Sequence, residues 1–167
     1  MDQPAGGWLQ AGRVGRAHGL DGSFYVREAA PLLLEVGVEV LVNGRPLRIV
    51  RRSGDDRRPI IRLEGFEGRT AAEGLTGQRL MVRRSDAPEL EADEWWADDL
   101  VGCAVHDAER EVGRVVRLLA LPSCEVLEVA RPDVTGELLV PLVSDAVRSV
   151  DVRSKRIDVD LRFLGAE

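Results

Sequence analysis

Two tryptophans stand side by side in Glu94-Trp95-Trp96-Ala97-Asp98-Asp99-Leu100-Val101-Gly102, in a chain with only seven aromatic residues. The segment follows an acidic, Pro-containing stretch and opens a run of strand-like sequence. In an extended backbone, neighbouring side chains point to opposite faces, so a single core cannot take both indoles. Each indole offers about 150–250 Å² of surface. One of the pair must therefore lie against a second body, either another part of this chain or another molecule. A wedge between two domains and an anchor for a partner both satisfy that demand, and Trp is the residue type most enriched at interface hot spots.

The 167 residues suit one ordinary domain or two small ones. Hydrophobic residues at 44% and charged residues at 31% describe a globular, soluble chain and not a disordered one. No apolar run approaches the roughly 20 residues of a membrane span. The start, Met1-Asp2-Gln3-Pro4, has neither the basic nor the apolar region of a signal peptide. Cys103 and Cys124 are too few for a disulfide framework. Together these features predict a cytoplasmic protein. Its net charge of −6 conceals an asymmetry. Residues 1–88 carry 14 basic and 11 acidic side chains, a balance of +3, whereas residues 89–167 carry 9 and 18, a balance of −9. The first half tolerates phosphate; the second suits a basic protein.

The chain reads as nearly all strand. Strands are predicted at 8–14 and 23–27, flanking a glycine-rich turn, Gly15-Arg16-Ala17-His18-Gly19-Leu20-Asp21-Gly22. Two more, 38–42 and 45–50, are joined by Asn43-Gly44, the strongest two-residue hairpin signal. Further strands are expected at 59–63 and 78–82. Between them Thr70-Ala71-Ala72-Glu73 has the form of a capping box, so a short helix is predicted there, ended by Gly77. Short strands at close spacing around Gly and Pro turns argue for a small barrel. Ser85 to Asp93, with Ala87-Pro88 and its acidic residues, marks a boundary. Strands resume at 99–105, 113–121, 126–129, 138–142, 147–152 and 157–161, with Arg153-Ser154-Lys155-Arg156 as the last turn. The expected organisation is all-β: a domain over 1–84 with six strands and one helix, an acidic linker over 85–95, and a second barrel or sandwich over 96–167.

Catalytic and metal-binding templates fit poorly. His18, Asp21 and Ser23 crowd onto one turn, where a catalytic triad rarely assembles, so His18, Gly19 and Gly22 read as residues that fix turn geometry. The glycines spell neither phosphate-loop pattern. Cys103 and His106, three apart on an expected strand, face opposite ways, and Cys124 supplies no second pair. The reading is a buried thiol beside an exposed imidazole, with no catalytic residues, metal or cofactor expected. Binding chemistry is better represented. Arg48, Arg51, Arg52, Arg57 and Arg58 surround the loop Ser53-Gly54-Asp55-Asp56 and offer a phosphate-contacting tip, which Asp55 and Asp56 partly cancel. A solvated, salt-bridged loop fits the same residues.

Three segments together resemble the ribosome maturation factor family RimM. Gly12-Arg13-Val14-Gly15-Arg16-Ala17-His18-Gly19-Leu20-Asp21-Gly22-Ser23 is similar to that family's opening strand and HGL-x-G turn. The segment Arg69-Thr70-Ala71-Ala72-Glu73-Gly74-Leu75-Thr76-Gly77-Gln78-Arg79-Leu80 resembles its R-x-x-A-E-x-L-x-G-x-x-L helix and strand. The tryptophan segment looks like its E-[YW]-[YW]-x-x-D-L-x-G opening of a PRC-barrel domain. The chain departs from the family pattern at Asp21, where a basic residue is frequent, and in the Trp pair, where tyrosine is usual. Ser123-Cys124-Glu125-Val126-Leu127 also departs from the usual N-D-V-L. The resemblance implies two small β-barrel domains, the second of PRC type. It also implies a non-enzymatic assembly factor for the small (30S) ribosomal subunit, which binds the nineteenth small-subunit protein in the subunit head and promotes 16S rRNA processing. Trp95, Trp96, Asp98 and Asp99 are then the partner-binding residues, and the arginine loop approaches 16S rRNA. The alternative is a generic β-barrel adaptor or RNA-binding module with no ribosomal role; no membrane partner is expected.

Overall fold

A computed structural model describes residues 7–167, so Met1-Asp2-Gln3-Pro4 lies outside the described residues. The chain divides into two compact units, 1–90 and 91–167.

The first unit is a closed barrel of six antiparallel strands in the order β1-β2-β5-β4-β3-β6. These are β1 (Trp8–His18), β2 (Ser23–Arg27), β3 (Glu39–Val42), β4 (Arg45–Ser53), β5 (Ile60–Leu63) and β6 (Arg79–Arg83). Alternation puts Leu9, Phe24, Val40, Ile49, Ile61 and Leu80 inside. Asn43 and Gly44 both take positive φ, 48° and 78°, as a two-residue hairpin of right-handed twist demands.

Two expectations need correction here. The strand predicted to stop at Val14 continues to His18, because an extra residue between Val14 and Ala17 is absorbed as a bulge. Gly15 is therefore part of a strand: a Cβ there would stand 2.7 Å from the Tyr25 carbonyl oxygen. Nor does Thr70 cap a helix. The helix α1 (Arg69–Glu73) starts after Gly68, and no side chain caps it. Arg69 and Glu73 instead pair across one turn at 2.8 Å. Gly77, at φ 86°, turns the chain into β6, and its N–H donates to the Val14 carbonyl at 2.8 Å.

The second unit is a six-stranded sheet in the order β10-β9-β8-β7-β12-β11. Its strands are β7 (Ala104–Asp107), β8 (Arg110–Ala120), β9 (Glu125–Ala130), β10 (Glu137–Pro141), β11 (Val147–Asp151) and β12 (Arg156–Val159). All neighbours are antiparallel except β12 and β7. Val105, Val115, Leu127, Val140 and Ile157, from five strands, meet in one core cluster, with Val147 and Val150 of β11 packed against it. Strands from both ends of an open ladder share that core, so the sheet is rolled around it.

The strand expected over 99–105 is not formed. Ala97–Leu100 is a four-residue helix, α2, and the strand starts at Ala104. The cause is visible in the burial: Leu100 and Cys103 are both fully buried although three residues apart. Between them Val101 is extended and Gly102 takes φ 82°, a turn that a continuous strand does not make. Asp98 and Asp99 occupy the first turn of α2, where a negative charge is favoured.

Candidate functional site

The tryptophan segment is a braced turn on the second unit. Trp96 is the N-cap of α2, with extended backbone at φ −72° and ψ 138°. Trp95, expected in the linker, is half-buried and packs against the core cluster of the second unit. Trp96 is also half-buried but stands outside that packed set. The carbonyls that end α2 are held by side chains from elsewhere. Lys155, the only lysine of the chain, donates from Nζ to the Asp99 carbonyl at 2.8 Å, and Arg114 donates to that of Gly102 at 3.3 Å. Cys103 Sγ lies 3.3 Å from the same Asp99 carbonyl, and burial pushes its thiol pKa up. Asp98 is exposed and Asp99 half-buried, which puts two carboxylates on the turn beside the indoles. The sequence marks Lys155 only by its being the lone lysine, and gives no sign that it braces this turn.

The arginine loop is less uniform than its sequence. Arg51 Nη1 is paired with Asp21 at 2.5 Å, and Arg52 is paired with both Glu35 and Asp56, the latter at 2.7 Å. Asp55 works on the backbone: its Oδ1 accepts the N–H groups of Arg57 and Arg58 at 3.0 and 2.9 Å and fixes the loop. Arg48 lies further along β4, opposite Glu39 of β3. The structure therefore separates the predicted contacts: Arg51 and Arg52 are tied up by carboxylates, whereas the Arg58 guanidinium lies over the Tyr25 ring, 4.5 Å from its centroid.

Tyr25, the only tyrosine, is a site residue that no motif in the sequence points to. Its neighbours are brought in by topology. Tyr25 faces Ile60 across β2 and β5, which carries the loop ending in Arg58 to its side. The Gly15–Arg16 bulge of β1 aims Arg16 at the same ring, 4.9 Å from the centroid. The Tyr25 hydroxyl lies 3.0 Å from His18 Nδ1, and the His18 ring meets its edge at 5.1 Å. His18 thus pairs with Tyr25 and not with Asp21 or Ser23. Asp21 accepts the Ser23 N–H at 3.0 Å, and its contacts with Ser23, together with Arg51, lower its pKa to about 2. Gly19 and Gly22 take φ of 67° and 96°. At Gly22 the requirement is absolute, because a Cβ would sit 2.0 Å from the Phe66 carbonyl oxygen.

His106 departs from its expected exposure: the residue is half-buried, with Nδ1 fully enclosed. Among the described residues, no three of His, Cys, Asp and Glu are grouped so that they could hold a metal ion, and no helix is long and apolar enough to cross a membrane.

A closed six-stranded barrel followed by a rolled six-stranded sheet defines a two-domain, all-β protein of small barrels. Comparison with known proteins sharpens this: residues 9–87 match the RimM N-terminal domain, and residues 97–163 match the RimM PRC barrel domain. The chain belongs to the RimM family. It is 32% identical over 157 residues to the ribosome maturation factor RimM of Clostridium botulinum (strain Alaska E43 / Type E3), covering 90% of this chain and 92% of that one. It is 34% identical over 157 residues to the ribosome maturation factor RimM of Chelativorans sp. (strain BNC1), covering 91% of this chain and 74% of that one. Among solved structures, the N-terminal domain of RimM from Thermus thermophilus is 29% identical and covers 50% of this chain and 98% of its own, with a TM-score of 0.44.

Proposed function

We propose that this protein is a maturation factor of the small ribosomal subunit that works by binding and carries out no chemical step. The observation that carries this reading is the match of both halves, in order, to the two RimM domains over 9–87 and 97–163. An assembly factor of this kind acts in the cytoplasm, on subunits not yet complete. Its second unit is the arm that meets a basic ribosomal protein of the subunit head, the nineteenth small-subunit protein. The charge of −9 over residues 89–167 attracts such a partner. Trp96 supplies the apolar anchor and Asp98 and Asp99 the charge beside it, while Trp95 holds the turn on its own core.

The test separates the two indoles. Trp96→Ala is expected to leave the melting temperature unchanged and to weaken binding of the ribosomal protein at least tenfold, a hot-spot loss of about 2–4 kcal/mol. Trp95→Ala is expected to lower the melting temperature of the second unit. Native affinity in both variants would remove the anchor. In co-sedimentation the intact protein should travel with free small subunits and not with complete ribosomes; absence from both would remove the ribosomal role.

A further inference from the structure

We propose that the groove beside Tyr25 on the first unit is an RNA-backbone site, in which Arg16 and Arg58 grip consecutive phosphates of an unpaired strand. The proposal rests on the reading that this protein works on a ribosomal subunit, and it names the first unit's own ligand.

The argument begins with two cations on one ring. The Arg16 and Arg58 guanidinium groups lie 4.9 and 4.5 Å from the Tyr25 centroid. Both side chains are exposed, and among the described residues neither forms an ion pair or donates a side-chain hydrogen bond. That contrasts with Arg13, Arg51, Arg52, Arg62 and Arg69 of the same barrel, each within 4.0 Å of a carboxylate oxygen. Two like charges held together repel, and the aromatic face offsets only part of that cost. Anions bound at the guanidinium forks would relieve the rest.

The surroundings favour a phosphodiester over a carboxylate side chain. Arg16 and Arg58 line an open groove of about 620 Å³ together with Arg27 and Arg57, and the only acid in its wall is Glu28. Glu28 is already engaged by Arg13 at 3.4 Å and by Gln10 at 3.3 Å. Thr76 and the Gly15 backbone add polar groups to the same wall. Val26, its one aliphatic member, is itself buried, so the groove has no apolar socket for a peptide side chain. Planar guanidinium forks fit phosphate oxygens two at a time, and a row of them suits a repeating charge. The ring is occupied by its own arginines, so Tyr25 orients the forks and leaves no face for a base. Recognition is thus of the backbone and insensitive to sequence.

Binding of the intact protein to a fluorescent 12-nucleotide single-stranded RNA of mixed sequence, titrated at several salt concentrations, decides the matter. Arg16→Gln/Arg58→Gln is expected to weaken binding about tenfold and to flatten the log–log salt slope by roughly 1.4, about 0.7 for each lost phosphate contact. Tyr25→Leu should reproduce most of the affinity loss with both charges still present. Arg51→Gln/Arg52→Gln, which removes two arginines already paired, should change affinity less than threefold. Unaltered melting curves certify that each variant is folded. Equal affinity and slope for wild type and Arg16→Gln/Arg58→Gln would overturn the proposal. So would a larger loss from the Arg51/Arg52 variant, or competition by poly-glutamate as effective as by RNA at equal charge. Binding of the ribosomal protein is read in parallel. A groove variant that keeps it while losing RNA supports both readings; wild type that binds the protein but not RNA overturns the groove alone.

Discussion

The two units solve the same problem, holding a functional turn still on a small β core, with different materials. In the first, every strand has a partner on both sides, and the ladder has no free edge. Its turn over 19–22 is held by backbone geometry: Gly22 at φ 96°, packed on the Phe66 carbonyl. The second leaves β10 and β11 as edges and relies on charged side chains. Arg148 of β11 donates to Asp107 and Asp158, both at 2.9 Å, and reaches Asp160 at 3.3 Å, so one guanidinium stitches β11, β12 and β7 together. Those carboxylates raise its pKa above the ordinary value. Lys155 does the like for the tryptophan turn. A barrel closed by hydrogen bonds is sensitive to backbone changes at its turns; an open, acidic sheet is sensitive to loss of its few cations.

The strongest way to break that contrast is at Gly22. Gly22→Ala combines a left-handed φ with a Cβ 2.0 Å from a backbone oxygen. The expected loss is more than about 3 kcal/mol, against about 1 kcal/mol for Gly19→Ala, where φ is 67° but nothing lies within 4 Å. Denaturant unfolding of the two variants measures both. Equal losses would mean that backbone conformation alone, without the Phe66 contact, sets the cost.

The counterpart in the second unit is Arg117. Its Nε donates to Glu128 Oε2 at 2.6 Å, and that carboxylate is buried on β9 while Arg117 itself reaches solvent. Arg117→Ala strands a buried charge and should cost about 2 kcal/mol. Arg117→Leu/Glu128→Leu, which removes both partners, should recover most of that loss. If the double variant is no better than the single, packing and not charge holds this face.

What can be read from the sequence follows the same division. Strands are legible because alternation is local: the predicted bounds of β2 are the observed ones, and Asn43-Gly44 defines the hairpin of β3 and β4. The α2 turn is not, since Leu100-Val101 reads as the start of a strand until Leu100 and Cys103 are seen buried together. The family resemblance is legible because it rests on ordered local motifs. Neither support of a site is. Arg16, Tyr25 and Arg58 meet only through a bulge and two strand pairings, and Lys155 reaches α2 from the far end of its domain. Spacing along a chain carries no record of such meetings.

The smallest expected effect tests whether charge matters to the first unit at all. Asp21 spends its carboxylate on the turn: Oδ1 on the Ser23 N–H, Oδ2 on Arg51 at 2.5 Å. These contacts, those with Ser23 foremost, lower its pKa from 3.8 to about 2. A carboxyl whose pKa is lower in the folded state than in the unfolded one stabilises the fold above the unfolded value. That contribution is fully present above pH 4 and disappears as pH falls toward 2. The side chain is one-third exposed and solvent screens the Arg51 pair, so Asp21→Asn should cost roughly 0.5 kcal/mol or less at pH 7. Melting curves of wild type and Asp21→Asn should therefore run nearly parallel from pH 7 to 5 and converge between pH 4 and 2. A constant gap between the curves down to pH 2 would show that Asp21 acts through turn geometry alone, and its turn would then be held by backbone without help from this charge.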